Sequence, residues 1–176
     1  MTHLKIIYED QHIRGRDPLP VAVLQIKDRT LIRCTTERLP ARGNWGVVLH
    51  STENFSLSAD DLAGITSIAS HAFTDITNLV SATTPPTLID IAICAFSGCT
   101  HLKSVQLNDG LESIGSSSFE HCAIEEINIP NTTIRIKHGA FHDCKNLTDV
   151  RIPKNLIAPE GRTFNQCGRL ENIDLS

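Results

Sequence analysis

The chain has 176 residues, 40% hydrophobic and 20% charged, enough apolar content for a buried core and too much for wholesale disorder. A net charge of −4 argues against the clustered excess of Lys and Arg that a nucleic-acid surface needs, and no apolar run approaches the ~20 residues of a membrane helix. Glu9 and Asp10 break the opening segment before an apolar stretch develops, so it is no cleavable secretory signal, and the expectation is a cytoplasmic protein or one exported without such a signal.

Residues 1–56 begin with strand-like runs at Leu4–Tyr8, Val21–Ile26 and Leu31–Cys34. The polar stretch Lys27-Asp28-Arg29-Thr30 between the last two predicts a hairpin. Pro18, Pro20, Pro40 and Gly43 punctuate the segment, and Gly46–His50 is a candidate further strand. Ser58-Ala59-Asp60-Asp61-Leu62 predicts a helix start, with Ser58 as cap and acids in the first turn. Residues 1–56 are read as a β-rich N-terminal cap over the repeats that follow. The alternative is a small domain with a function of its own, disfavoured because about 56 residues is near the size at which independent folding becomes marginal.

From residue 57 onward the chain repeats itself. Phe73, Phe96, Phe119, Phe141 and Phe164 are spaced by 23, 23, 22 and 23 residues. A small residue precedes each ring: Ala72, Ala95, Ser118, Ala140 and Thr163. Three residues after each come Ile76, Cys99, Cys122, Cys144 and Cys167, and Ile68, Ile91, Ile114, Ile136 and Pro159 stand five before. Leu79, Leu102, Ile124, Leu147 and Leu170 follow, then Ala82, Val105, Ile127, Val150 and Ile173, and two further on Thr84, Leu107, Ile129, Ile152 and Leu175. So many positions in register over five units specify a solenoid. The alternation at the end of each unit predicts a short strand, and stacked strands make a parallel sheet along one side. No coil can bury its apolar edge alone, so each is stable only against its neighbours.

The stretches Cys94-Ala95-Phe96-Ser97-Gly98-Cys99-Thr100-His101-Leu102-Lys103-Ser104-Val105 and Gly139-Ala140-Phe141-His142-Asp143-Cys144-Lys145-Asn146-Leu147-Thr148-Asp149-Val150-Arg151-Ile152-Pro153 resemble the BspA-like class of leucine-rich repeats. The resemblance covers about residues 57–176 and implies a curved right-handed leucine-rich-repeat solenoid of short parallel strands and turns. Members of that class are often surface or secreted microbial proteins that adhere to host or partner proteins, so the resemblance implies a protein-binding role.

The chemistry-bearing residues are absorbed by the repeat. Four of the six cysteines share one repeat position and predict an inward ladder of free thiols, with disulfides or a metal as minor alternatives. His101, His121 and His142 fall at different offsets from their Phe and predict surface histidines rather than zinc ligands. Ser116-Ser117-Ser118 has no distinctive His and Asp partner, and no phosphate-binding or dinucleotide motif is present. The expectation is a protein without catalytic residues, cofactor or metal.

What remains is surface. The outward strand positions are Ser81 and Thr83, Ser104 and Gln106, Glu126 and Asn128, Asp149 and Arg151, and Asn172 and Asp174. The last eight are the candidate partner-binding residues. Their strip lacks Trp, Tyr and Phe, grows more acidic toward the C-terminus, and would favour a basic partner surface. A competing surface is the N-terminal segment with Tyr8, Trp45 and Phe55. A self-associating scaffold is the alternative function, through an open last coil that holds Phe164, Cys167, Leu170, Ile173 and Leu175.

Overall fold

The computed structural model describes residues 2–8, 20–35, 54–157 and 159–175. Strands β1 (Thr2–Tyr8), β2 (Pro20–Lys27) and β3 (Thr30–Thr35) come first, then β4 (Phe55–Leu57), β5 (Ser67–Ile68), β6 (Leu79–Thr83) and β7 (Asp90–Ile91). They are followed by β8 (Ser104–Gln106), β9 (Ser113–Ile114), β10 (Glu126–Asn128), β11 (Arg135–Ile136), β12 (Asp149–Ile152) and β13 (Asn172–Leu175). The first four Phe-bearing coils contribute one strand to each of two sheets, and the last, with Pro159 where the others have Ile, contributes β13 alone. One sheet runs β4-β6-β8-β10-β12-β13, all parallel, and the other runs β1-β2-β3-β5-β7-β9-β11.

The second sheet is assembled on the isoleucines five residues before each Phe. Ile68, Ile91, Ile114 and Ile136 are buried and lie in register across β5, β7, β9 and β11. Between the sheets the Phe rings form a column. Successive centroids are 4.7, 5.1, 5.3 and 5.5 Å apart and the planes diverge by no more than 10°.

A backbone device holds that column together. In every coil the residues two before and two after the Phe have positive φ: His71 and Asp75, Cys94 and Gly98, Ser117 and His121, Gly139 and Asp143, Arg162 and Gln166. Alternating the helical hand in this way turns every second N–H toward the next coil. The N–H groups of His71, Phe73 and Asp75 accordingly donate to the carbonyls of Ile93, Ala95 and Ser97 at 3.1, 2.7 and 2.8 Å. The same triplet of bonds recurs from the second coil to the third and onward to the fifth. The small residue before each Phe is buried where these backbones approach most closely.

The cysteine ladder completes the join. The thiols of Cys99, Cys122, Cys144 and Cys167 donate to the carbonyls of Phe73, Phe96, Phe119 and Phe141 one coil earlier, at 3.1 to 3.2 Å. All four are free thiols; the first three are buried and Cys167 half-buried. A side chain at this position must be small, apolar and able to donate one weak hydrogen bond, and cysteine meets all three conditions.

Three expectations change. Among the described residues six rungs are stacked, against the five units read from the sequence, because Phe55–Leu57 pairs in parallel with β6. Phe55 is buried in the core and offers no surface. No helix follows Ser58. Its hydroxyl and Asp61 do exchange capping bonds at 2.7 to 3.2 Å, but the segment stays a run of i to i+3 turns, and Gly64 ends it at φ 78°. The hairpin is present, with β2 antiparallel to β3. Asp28 and Arg29 both take positive φ at its two-residue turn, the hand that matches strand twist. Gly46–His50 and Trp45 lie outside the described residues.

β3 runs parallel to β5, so the hairpin sits on the first coil. The Cys34 N–H donates to the Ala72 carbonyl at 2.7 Å, the bond a Phe N–H makes elsewhere. Lys5 reaches the Asp60 carbonyl at 2.6 Å and the Asp61 carboxylate at 3.6 Å, tying β1 to the turn after β4.

Candidate interaction surface

Alternation in β8, β10 and β12 decides what faces outward. Val105, Ile127 and Val150 are buried, while Ser104, Gln106, Glu126, Asn128, Asp149 and Arg151 are exposed, and Asn172 and Asp174 are exposed on β13. Parallel pairing without a slip lines them up in two columns. Ser104, Glu126, Asp149 and Asn172 are direct neighbours in one; Arg151 stands beside Asn128 and Asp174 in the other. Rungs lie ~4.8 Å apart. All eight residues line one groove of about 920 Å³ that runs along the strand face.

The rim is held by buried polar bonds. The Asn108 N–H donates to the Thr84 hydroxyl at 2.8 Å, and the Asn108 amide donates to the Leu88 carbonyl at 3.0 Å, which fixes the turn carrying Asp109 at the groove edge. Toward the N-terminus Ser81 and Thr83 are half-buried, and Ser81 donates to Ser56 at 2.7 Å, joining β6 to β4 beyond the groove.

Charge is unevenly distributed. Hydrogen bonds from Thr148 and Asn172 hold the Asp149 carboxyl below the usual carboxylate range, the latter with Asn172 Nδ2 donating at 2.7 Å. Asp174 lies 3.6 Å from the Arg151 guanidinium. Glu126 stands beside Asp149 in the register and has no ion-pair partner among the described residues. Four carboxylates and a single guanidinium thus line the groove, counting Asp109. The face offers polar and charged groups and no aromatic side chain.

The other chemistry-bearing residues lie elsewhere. The His121 imidazole donates through Nδ1–H to the Asp143 carboxylate at 2.8 Å, and Lys145 reaches the same carboxylate at 3.3 Å. Burial pushes the Asp143 carboxyl up, and the bonds from His121 and Lys145 more than offset it, leaving it below its ordinary range. Comparing the histidines only with one another hid this pair from sequence reasoning; His121 and Asp143 each stand two residues after their Phe, so they are neighbours on adjacent coils. Among the described residues no group of three or more His, Cys, Asp or Glu is arranged to hold a metal ion. The Ser118 hydroxyl is buried without a hydrogen-bond partner. Among the described residues no helix is long and apolar enough to cross a membrane.

The family model for the BspA type leucine rich repeat region matches residues 66–176 in 6 copies. Among solved structures, a leucine rich cell surface protein from Faecalibacterium prausnitzii A2-165 is similar at a TM-score of 0.70 and 23% identity, over 88% of this chain and 38% of that one. The leucine rich repeat protein of T. pallidum gives 0.63 and 25%, over 82% and 62%. One from Bacteroides ovatus ATCC 8483 gives 0.64 and 23%, over 96% and 45%. The chain therefore spans less than two thirds of the length of each. A search of curated proteins found no match.

Proposed function

The chain belongs to the BspA-type leucine-rich repeat proteins, and on that premise we propose that it is a non-enzymatic protein-interaction module, adhesin-like or effector-like, that receives its partner in the strand-face groove. The observation that carries this is the convergence of Ser104, Gln106, Glu126, Asn128, Asp149, Arg151, Asn172 and Asp174 on one groove. A sheet face of fixed register presents side chains at regular intervals with little ordering cost on binding, which is what a recognition surface needs. The cap expected over residues 1–56 is β1–β3, and the solenoid expected over 57–176 begins with β4 at Phe55. The β3–β5 pairing and the Cys34 to Ala72 bond support that division, since they give the first coil the backbone partners a preceding coil would supply.

The test is a pair of bulky substitutions on opposite sheets. Asn128→Trp fills the groove, whereas Arg135→Trp adds the same bulk to exposed β11. Immobilised protein incubated with host-cell surface extract should lose its bound protein with Asn128→Trp and keep it with Arg135→Trp. The opposite pattern overturns the assignment.

Self-association is a second reading, supported by Ile173 and Leu175, which are 54% and 64% exposed on β13. A dimer formed there would separate on Ile173→Lys with Leu175→Lys, and a single-chain mass across micromolar concentrations by light scattering would refute it.

A further inference from the structure

Resting on the reading that the strand-face groove receives a partner, we propose that the occupant is an extended, hydrophilic segment of another protein carrying closely spaced Lys or Arg residues. The groove itself argues for this. Its lining holds no aromatic side chain, so there is no platform for stacking, and the exposed strand residues that line it are Ser, Gln, Asn, Arg and carboxylates, with Pro86 and Leu107 adding apolar surface beside them. Without an aromatic anchor, recognition here draws chiefly on charge and hydrogen bonding.

The sign follows from the register. Glu126 and Asp149 are direct partners on neighbouring rungs, two carboxylates side by side in one column. A cationic side chain laid between those rungs meets both carboxylates at once. Asp174 is already shared with Arg151 at 3.6 Å, so Glu126 and Asp149 are the main anchors and the Arg151–Asp174 pair marks the weaker end. Asp109 on the rim continues the negative field past Ser104 and Gln106.

Spacing fits an extended chain. Rungs repeat at ~4.8 Å and same-side residues of an extended peptide at ~7 Å, and the flexible four-carbon stem of lysine absorbs that difference. A folded basic surface would need to enter a groove whose rim is fixed at Asn108; a single extended strand lies within it.

The experiment uses a synthetic peptide alternating Ser and Lys, with counterparts in which Gln or Glu replaces Lys, followed by fluorescence anisotropy against the whole chain. The Lys peptide should bind at about 0.1 M salt and lose most of its affinity at about 1 M, where screening shortens the reach of charge to ~3 Å. Glu126→Gln with Asp149→Asn should weaken it about fivefold or more, as expected for two exposed pairs. Arg151→Gln should tighten it, because it frees Asp174 and removes the one opposing charge. Absence of Lys-peptide binding, or equal binding by the Gln peptide, overturns the proposal. If the Gln peptide binds equally and Asn128→Trp abolishes its binding, the basic occupant is refuted while the groove stands. If the Lys peptide binds and Asn128→Trp leaves it unchanged, the groove itself is refuted.

Discussion

Replacing Phe119 by Ala tests the stacking of coils most severely. The ring is fully buried and lies between Phe96 at 5.1 Å and Phe141 at 5.3 Å. Deleting it removes apolar contact on both sides and leaves a cavity in the middle of the column, an expected loss of about 3–5 kcal/mol. Phe164 offers an internal comparison, since it is half-buried and stacks on Phe141 alone at 5.5 Å. Phe164→Ala loses one ring pair instead of two, a difference of about 0.5–1.5 kcal/mol, and opens a smaller cavity. The central substitution should therefore cost about 2 kcal/mol more than the terminal one. Urea denaturation followed by far-ultraviolet circular dichroism measures both. In Phe119→Ala the transition should also broaden, because nearest-neighbour coupling is cut between two arms of the solenoid. Equal losses at the two sites would show that the Phe column does not carry the coupling between coils.

Further expectations follow from single positions. Ser118→Ala removes a buried hydroxyl that has no partner and should leave stability unchanged or raise it by about 1 kcal/mol, read from the urea midpoint. Gly115→Ala should destabilise by about 1–3 kcal/mol, because its Cβ would lie 2.5 Å from the Ala92 carbonyl carbon and force two coils apart; an unchanged midpoint would contradict that contact. Burial raises the Cys34, Cys122 and Cys144 thiols well above their ordinary range. These thiols should label only after unfolding, with half-exposed Cys94 first in the native protein. Rapid native labelling of Cys122 or Cys144 would place the ladder on the surface.

The repeat was legible because its constraints act on side chains. Phe, the small residue before it and the Cys three after it each have a chemical reason that recurs every coil, so they recur in the sequence. The outward strip was legible for the same reason, since Val105, Ile127 and Val150 fix which neighbours face solvent. The positive-φ pairs were not legible. They are a backbone requirement met by His, Asp, Cys, Ser, Arg and Gln as well as Gly, and only Gly98 and Gly139 of the ten carry the usual sign. The first rung was hidden because its coil has no Phe motif: Cys34, far away in sequence, supplies the backbone donor that a Phe supplies elsewhere. The capping pattern at Ser58 was read correctly as local chemistry and wrongly as a helix, because the segment closes only i to i+3 bonds and Gly64 ends it at positive φ. The second sheet was hidden too, since two-residue strands such as Ser67–Ile68 are too short to show alternation.

The central claim is that the partner lies along the strand face, and amide chemical-shift mapping of the labelled chain with its captured partner tests it most directly. The account predicts the largest shifts at 104–106, 126–128 and 149–152, with 90–91, 113–114 and 135–136 on the opposite sheet unchanged. Shifts concentrated on the opposite sheet would contradict it.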